Sequence, residues 1–136
     1  MAITNTAAFA QTTQTNTAIV VGVDDLTSAP ANTILLVTAG ADGGLLTGVS
    51  AIPRATVTAS SLHLFISKDS GTTQVLLDSA LMAAHTVAAT TAVPVTTFTA
   101  YSEDTPLRLD AADRIYAGSG VALAGGIAFT AEWSDF

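Results

Sequence analysis

The chain of 136 residues contains no cysteine, which excludes disulfides, a thiolate nucleophile and cysteine-ligated metal sites. Charge is also scarce, since only 11% of the residues are charged and Lys68 is the single lysine. The formal net charge is −7, and the few basic residues are scattered along the chain. Because phosphate-rich surfaces are bound by clustered positive charge, the sequence disfavours both nucleic acid and anionic membranes as partners.

Long apolar runs are missing as well. No run approaches the length that is needed to cross a bilayer. The beginning of the chain, residues 1–11, has neither the basic leader nor the apolar stretch of a secretory signal. We therefore expect a soluble protein that is made without a conventional export signal.

Histidine is rare, and this limits the catalytic chemistry that the sequence suggests. Nucleophilic catalysis needs a serine, cysteine or threonine beside a base that a third group orients. Only His63 and His85 could act as a histidine base, and no Gly-x-Ser-x-Gly elbow accompanies either. His63 alternates with two leucines, which favours an exposed or partner-facing position over a catalytic one. The sequence therefore predicts no catalytic residue and no enzymatic activity.

Metal and cofactor sites are not indicated either. Two histidines far apart in sequence do not by themselves make a zinc site. Aspartate is common in turns because its side chain bonds nearby backbone amides, and none of the turn aspartates matches a spaced calcium-binding loop. These residues are Asp24, Asp25, Asp42, Asp69, Asp110 and Asp113. We expect no metal ligand and no cofactor.

Apolar residues and threonine dominate what is present, and they follow the period of two that is typical of β-strands. Leu62, Leu64 and Ile66 alternate before a polar turn at residues 68–73, which predicts a β-hairpin with residues 74–77. The cleanest alternation closes the chain, where the large side chains of one strand share a face that we expect in the core. They are Ile127, Phe129, Ala131 and Trp133.

About eight such strands, separated by Gly, Asp and Pro turns, predict an all-β fold: an antiparallel β-sandwich or jelly roll at residues 17–136. Residues 45–52 are expected to pair back across the turn at 39–44. A further strand is expected at 93–101, with Val93, Val95 and Phe98 facing inwards. The run 77–92 could form one or two helical turns, although a strand that gives way to a loop fits the surrounding pattern better.

Residues 1–16 form a polar segment of low complexity in which, apart from Met1, Ile3 and Phe9 are the only large apolar side chains. Such a segment cannot bury enough surface to order itself alone. Two interpretations remain open. It is a frayed terminus, or it is an arm that becomes ordered along a neighbouring subunit, with Ile3 and Phe9 as anchors.

The sparse charge also predicts association, because ordinary monomers interleave many charges on their surface. Phe65 shares its face of the strand with His63 rather than with the leucines, so both are expected to meet a second layer or a partner. Trp133 and Phe136 at the end of the chain are candidates for the same interface, although a core position is the simpler explanation for Trp133.

Four segments together resemble small structural proteins of tailed bacteriophages. The segments are LVTAGADGG at 36–44, LHLFIS at 62–67, LRLDAADRIY at 107–116 and the closing WSDF at 133–136. These phage proteins are encoded among head genes and include capsid decoration or auxiliary proteins with β-sandwich folds. The resemblance covers residues 33–136 and is one of ordered pattern rather than of a single diagnostic motif.

The resemblance implies a virion protein on the outer surface of the capsid, made and assembled in the cytoplasm of a bacterial host. Its partners would be the major capsid protein and copies of itself in a homotrimer. Its work would be to bridge neighbouring capsomers. A head–tail connector, tail or fibre-base component is the alternative within the same particle. A carbohydrate-binding module and an enzyme are the alternatives outside it.

Overall fold

The structure is a computed structural model that describes residues 12–136. Within this range the chain is all β, with no helix and nine strands. In chain order they are β1 (Thr12–Val20), β2 (Ile34–Thr38), β3 (Gly44–Pro53), β4 (Ser60–Ser67), β5 (Val75–Met82), β6 (Thr96–Thr97), β7 (Leu107–Leu109), β8 (Arg114–Ser119) and β9 (Ile127–Asp135).

The strands form two antiparallel sheets. The larger sheet has the order β1-β9-β3-β6, and β7 also pairs with β3. The smaller sheet has four strands in the order β2-β8-β4-β5. The prediction of an all-β antiparallel architecture is therefore confirmed.

One hydrophobic core receives side chains from both sheets. The inward face of β9, with Ile127, Phe129, Ala131 and Trp133, is buried as its alternation predicts. The smaller sheet contributes buried residues of β2, β4 and β8 to the same core, namely Leu36, Val37, Leu62, Leu64, Ile115 and Ala117. This arrangement, in which each sheet buries one face against the other, is sandwich-like.

The β4–β5 hairpin forms as predicted, with Ile66 opposite Val75 next to the turn. The turn contains two residues in the left-handed region, Ser70 at φ 62° and Gly71 at φ 95°. The Ser67 hydroxyl accepts a hydrogen bond from the Gly71 amide at 2.8 Å. Asp69 accepts one from the Thr73 amide at 2.8 Å. After β5 the chain continues as a loop, so the helical alternative for this region is wrong.

Two expectations about strand pairing and strand length are wrong. Residues 45–52 do not pair back onto the preceding strand, because β2 and β3 belong to different sheets and β3 pairs with β9, β7 and β6. The turn between them carries the chain from one sheet to the other. The expected strand at 93–101 is reduced to the two residues of β6, and Val95 is exposed while Phe98 is buried. Pro94 precedes this short edge strand, where a missing amide donor is tolerated.

The ordered domain begins before residue 17. Thr12 pairs with Asp135, and antiparallel pairing with β9 continues to Val20 opposite Ile127. The predicted arm boundary therefore moves, because five of its residues already belong to β1. Ile3 and Phe9 lie outside the described residues.

The connection between β1 and β2, residues 21–33, crosses the outer face of the four-stranded sheet, away from the core. Three backbone hydrogen bonds hold it to the rest of the described chain, and two of them join it to this sheet and to the β4–β5 turn. The Asp24 amide donates to the Ser119 carbonyl oxygen at 2.9 Å, and the Gln74 amide donates to the Ser28 carbonyl oxygen at 2.7 Å. We call residues 21–33 the covering loop. It partly covers the outer face of the four-stranded sheet.

Candidate functional site

The site lies on β4, at the centre of the face that the covering loop crosses. Side chains along a strand alternate between the two faces of a sheet. Leu62 and Leu64 point to the core, so Ser61, His63 and Phe65 point to the outer face. Phe65 is nonetheless fully buried and His63 is only 6% exposed. Their burial on this side comes from the chain itself.

A missing side chain on the neighbouring strand gives the covering loop access to His63. Gly118 in β8 stands directly opposite His63. A Cβ at this position would collide with the Asp24 carboxylate and would lie 3.1 Å from Phe65 Cε2. Glycine therefore leaves the slot through which the Asp24 side chain reaches the imidazole ring.

Three polar side chains meet in this slot. His63 Nδ1 lies 2.7 Å from Asp24 Oδ2, and His63 Nε2 lies 2.7 Å from Ser61 Oγ. An ionised carboxylate only accepts hydrogen bonds, so in the neutral ring Nδ1 carries the proton and donates to Asp24. Nε2 then accepts a hydrogen bond from the Ser61 hydroxyl. The order nucleophile, base and orienting carboxylate is the one that serine-based acyl transfer uses.

The backbone amide beside the serine is not free to act as an oxyanion donor. Stabilising a tetrahedral oxyanion takes backbone or side-chain donors that are free and aimed at one point. The Gly120 amide beside Ser61 donates to the Ser61 carbonyl oxygen at 2.8 Å, so it is already occupied. Asp24 Oδ1 is buried without a hydrogen-bond partner among the described residues. The arrangement orients a serine hydroxyl and fastens the covering loop to the sheet.

Apolar side chains flank the site on the edge strand. Leu76 is paired with Phe65 and Leu81 with Ser61, which places both leucines on the outer face. Leu81 is 74% exposed and is the most exposed large apolar side chain in the described range. These two leucines make an apolar strip on the outer face of β5, which we call the β5 strip.

The residues that were predicted to face a partner have different surroundings. A second layer or a partner was expected over His63 and Phe65, and in this chain both are buried on the side that the covering loop crosses. Trp133 belongs to the core. Phe136 is half-buried, with the Arg108 guanidinium 5.1 Å above its ring, and its amide donates to the Gly43 carbonyl oxygen at 3.1 Å.

Sequence reasoning missed Asp24 and Ser61 as neighbours of His63. Asp24 precedes His63 by 39 residues and looked like one of several turn aspartates. The spacing of Ser61 and His63 did carry a signal, because residues two apart in a strand share a face. The remaining histidine, His85, forms an isolated backbone bridge with Val57. Within residues 12–136 there is no cluster of three or more His, Cys, Asp and Glu side chains that could hold a metal ion.

A second concave surface lies on the larger sheet, about 190 Å³ in volume. Glu132 is its only titratable residue. The lining consists of Gly48, Val49, Ser50, Thr97, Thr130 and Glu132. Among the described residues no hydrogen bond joins the Glu132 carboxylate to a hydroxyl of this lining, whereas His63 is bonded to Ser61 in the slot.

Comparison with protein-family models, with curated proteins and with solved structures finds no match for this chain. No helix that could cross a membrane occurs in the described part of the chain. The function is therefore argued from the fold and from the surface.

Proposed function

We propose that this protein is a structural subunit of a tailed-phage virion that decorates the outer surface of the capsid and bridges neighbouring capsomers. The observation that carries the proposal is the strand order. If β6 and β7 are counted as one interrupted edge strand, each sheet has four strands, in the orders 1-9-3-6/7 and 2-8-4-5. That interleaving is the one expected of a jelly roll, an architecture that recurs in viral capsid proteins.

The surface supports a role in assembly. A soluble monomer exposes few contiguous apolar patches, and larger ones mark interaction sites. Here large apolar side chains are exposed on β1, the covering loop, β2 and β5, while only 11% of all residues carry charge. They include Ile19, Val21, Val23, Leu26, Ile34, Leu35, Val75, Leu76 and Leu81. Burying these side chains against companions would remove the apolar area from water.

The mechanism is thermodynamic linkage. A protein that binds the assembled shell and not its separate subunits stabilises the assembled state by mass action. An acidic chain with a net charge of −7 suits the outside of the shell, where it is kept away from packaged DNA. Copies of this chain would form the trimer, and the major capsid protein would supply the docking surface.

In this proposal the N-terminal arm joins the folded domain at β1. β1 begins at Thr12 on an outer strand of the larger sheet, since among the described strands it pairs only with β9. A segment that continues from this strand can add extended backbone to a neighbouring subunit. Ile3 and Phe9 would then supply the apolar anchors.

The test is binding to the shell of the phage that carries this chain, with and without residues 1–11. Purified shells that lack the protein are mixed with the full chain, sedimented and then imaged. We expect the full chain to co-sediment with assembled shells but not with unassembled capsid protein, and to raise the temperature at which shells dissociate. The truncated chain is expected to occupy fewer sites. Absence of binding to shells overturns the proposal, and unchanged occupancy of the truncated chain overturns the role of the arm.

The number of copies per particle distinguishes capsid decoration from the alternative function as a connector or tail component. A number of copies that scales with the number of capsomers indicates decoration. A single ring at one vertex or in the tail indicates a connector or tail component.

A further inference from the structure

We propose that Ser61 is an activated nucleophile whose hydroxyl accepts an acyl group from a small activated ester, with His63 as the base. The inference does not depend on the proposed role in the virion, because it rests on the geometry of one chain. It concerns the slot on the outer face of the four-stranded sheet, and it assigns a modification site there.

The base is held in the orientation that this chemistry requires. Asp24 is buried and lies 2.7 Å from Nδ1 of His63, so the opposite nitrogen, Nε2, is turned towards Ser61. The ring is itself buried and fixed at both nitrogens. A carboxylate in this position also stabilises the imidazolium that forms when the base takes a proton.

The nucleophile is accessible although its base is not. Ser61 is exposed, while the side chain of His63 is 7% exposed and that of Asp24 is 1% exposed. Gly120 leaves open the space beside the serine and the ring. A Cβ at this position would lie 3.5 Å from Ser61 Cβ and 3.7 Å from His63 Cε1. A larger side chain at residue 120 would therefore narrow the approach to the hydroxyl.

The proposed step balances without a further reagent. Ser61 Oγ forms a bond to the carbonyl carbon of the ester, and the bond from that carbon to the leaving oxygen breaks. The hydroxyl proton passes to Nε2 of His63 and from there to the leaving oxygen or to water. Because the Gly120 amide is already bonded to the Ser61 carbonyl oxygen, we expect one acylation per chain rather than turnover.

The sharpest test uses the absence of cysteine from the chain, since a single introduced thiol then reports on its own surroundings. Ser61→Cys is compared with Ser79→Cys, which is exposed on the same sheet face and opposite His63 in β5. Alkylation by iodoacetamide at neutral pH follows the thiolate fraction. We expect the Ser61→Cys thiol to react about tenfold faster, because Nε2 takes up its proton. Equal rates for the two thiols overturn the proposal.

The native hydroxyl is tested with p-nitrophenyl acetate. We expect one acetyl group on the peptide that contains Ser61, read by mass spectrometry. Ser61→Ala abolishes this signal, Ser79→Ala preserves it and Gly120→Val slows its appearance. Acetylation confined to Lys68 and the N-terminal amine would overturn the proposal. These substitutions are at exposed positions, and the unfolding midpoint of each variant is measured to show that it is folded.

Discussion

Asp24 and His63 show how one buried contact can hold a whole segment in place. The Asp24 side chain is enclosed between the covering loop and the four-stranded sheet and bonds the imidazole ring at 2.7 Å. Its backbone amide is bonded to Ser119 on the neighbouring strand. Both bonds join elements that are distant in sequence, so their loss would loosen the middle of the covering loop.

Replacing Asp24 with alanine is therefore expected to destabilise the fold. Asp24→Ala leaves the Nδ1 proton of His63 buried without an acceptor, and such a loss costs about 2–4 kcal/mol of unfolding free energy. The measurement is equilibrium unfolding in urea. Asp25→Ala is the matched control, because Asp25 is exposed and its side chain accepts hydrogen bonds from Thr27 in the same loop. A similar loss of stability in both variants would contradict a specific role for Asp24.

Tyr101 gives the protein a predicted response to alkaline pH. Burial, together with the nearby Asp78 charge, raises the pKa of the Tyr101 hydroxyl from 10.0 to about 12. The folded chain thus keeps a proton that the unfolded chain loses between these two values. Stability from this group is complete below pH 10 and is lost as the pH rises towards 12.

Tyr101→Phe removes the titrating hydroxyl and is expected to flatten the fall in unfolding midpoint between pH 9 and pH 11.5. Lys68, whose pKa is raised by hydrogen bonds to Asp113 and Asp110, titrates in the same alkaline range in both proteins, so the difference between them isolates Tyr101. Identical pH profiles for the two proteins would show that the shift does not affect folding.

At the scale of elements, β5 is an edge strand with little protection. Within the described residues it pairs only with β4, so its other backbone edge is open. Edge strands usually avoid unwanted pairing with charges, prolines or short length. β5 has eight residues, no proline and one charged residue, Asp78, and a bulge in its register at Leu77 is the one irregularity. An edge of this kind suits docking against another copy of the chain.

Leu81→Glu is expected to weaken self-association. Placing a carboxylate on the β5 strip forces a charge into the interface, which we expect to weaken association roughly tenfold or more. Sedimentation equilibrium over a range of concentrations measures the effect. Thr99→Glu adds the same charge at an exposed position outside β5 and should associate like the unchanged protein. If the unchanged protein is a monomer at every concentration, the homotrimer is excluded.

At the scale of the whole molecule, local sequence patterns predicted where the strands lie better than they predicted which strands pair with each other. The β4–β5 hairpin and the buried face of β9 depend on alternation within one segment, and both formed as expected. The pairing of β3 did not, because its partner β9 lies at the other end of the chain. A periodic pattern says which residues of a strand face the core, but it does not say which strand lies alongside.

The candidate site shows the same difference between what a local pattern predicts and what contacts between distant segments decide. Alternation placed His63 and Phe65 on the side of β4 opposite the leucines, and the structure agrees. The pattern did not predict what covers that side of β4. Asp24 lies in a loop, 39 residues before His63, and its side chain reaches the imidazole ring through the gap at Gly118. From the sequence of the strand alone, a face that a neighbouring subunit covers cannot be distinguished from one that the chain's own loop covers.

The sequence by itself determined that the chain is all β, which strand faces are apolar and that positive charge is sparse and scattered. Those properties come from side-chain identity and spacing, which act locally. Tertiary structure alone decided which sheet each strand joins and which polar groups meet around His63. These depend on closing long loops between distant segments, where many pairings satisfy the same local pattern and packing of the complete core selects one.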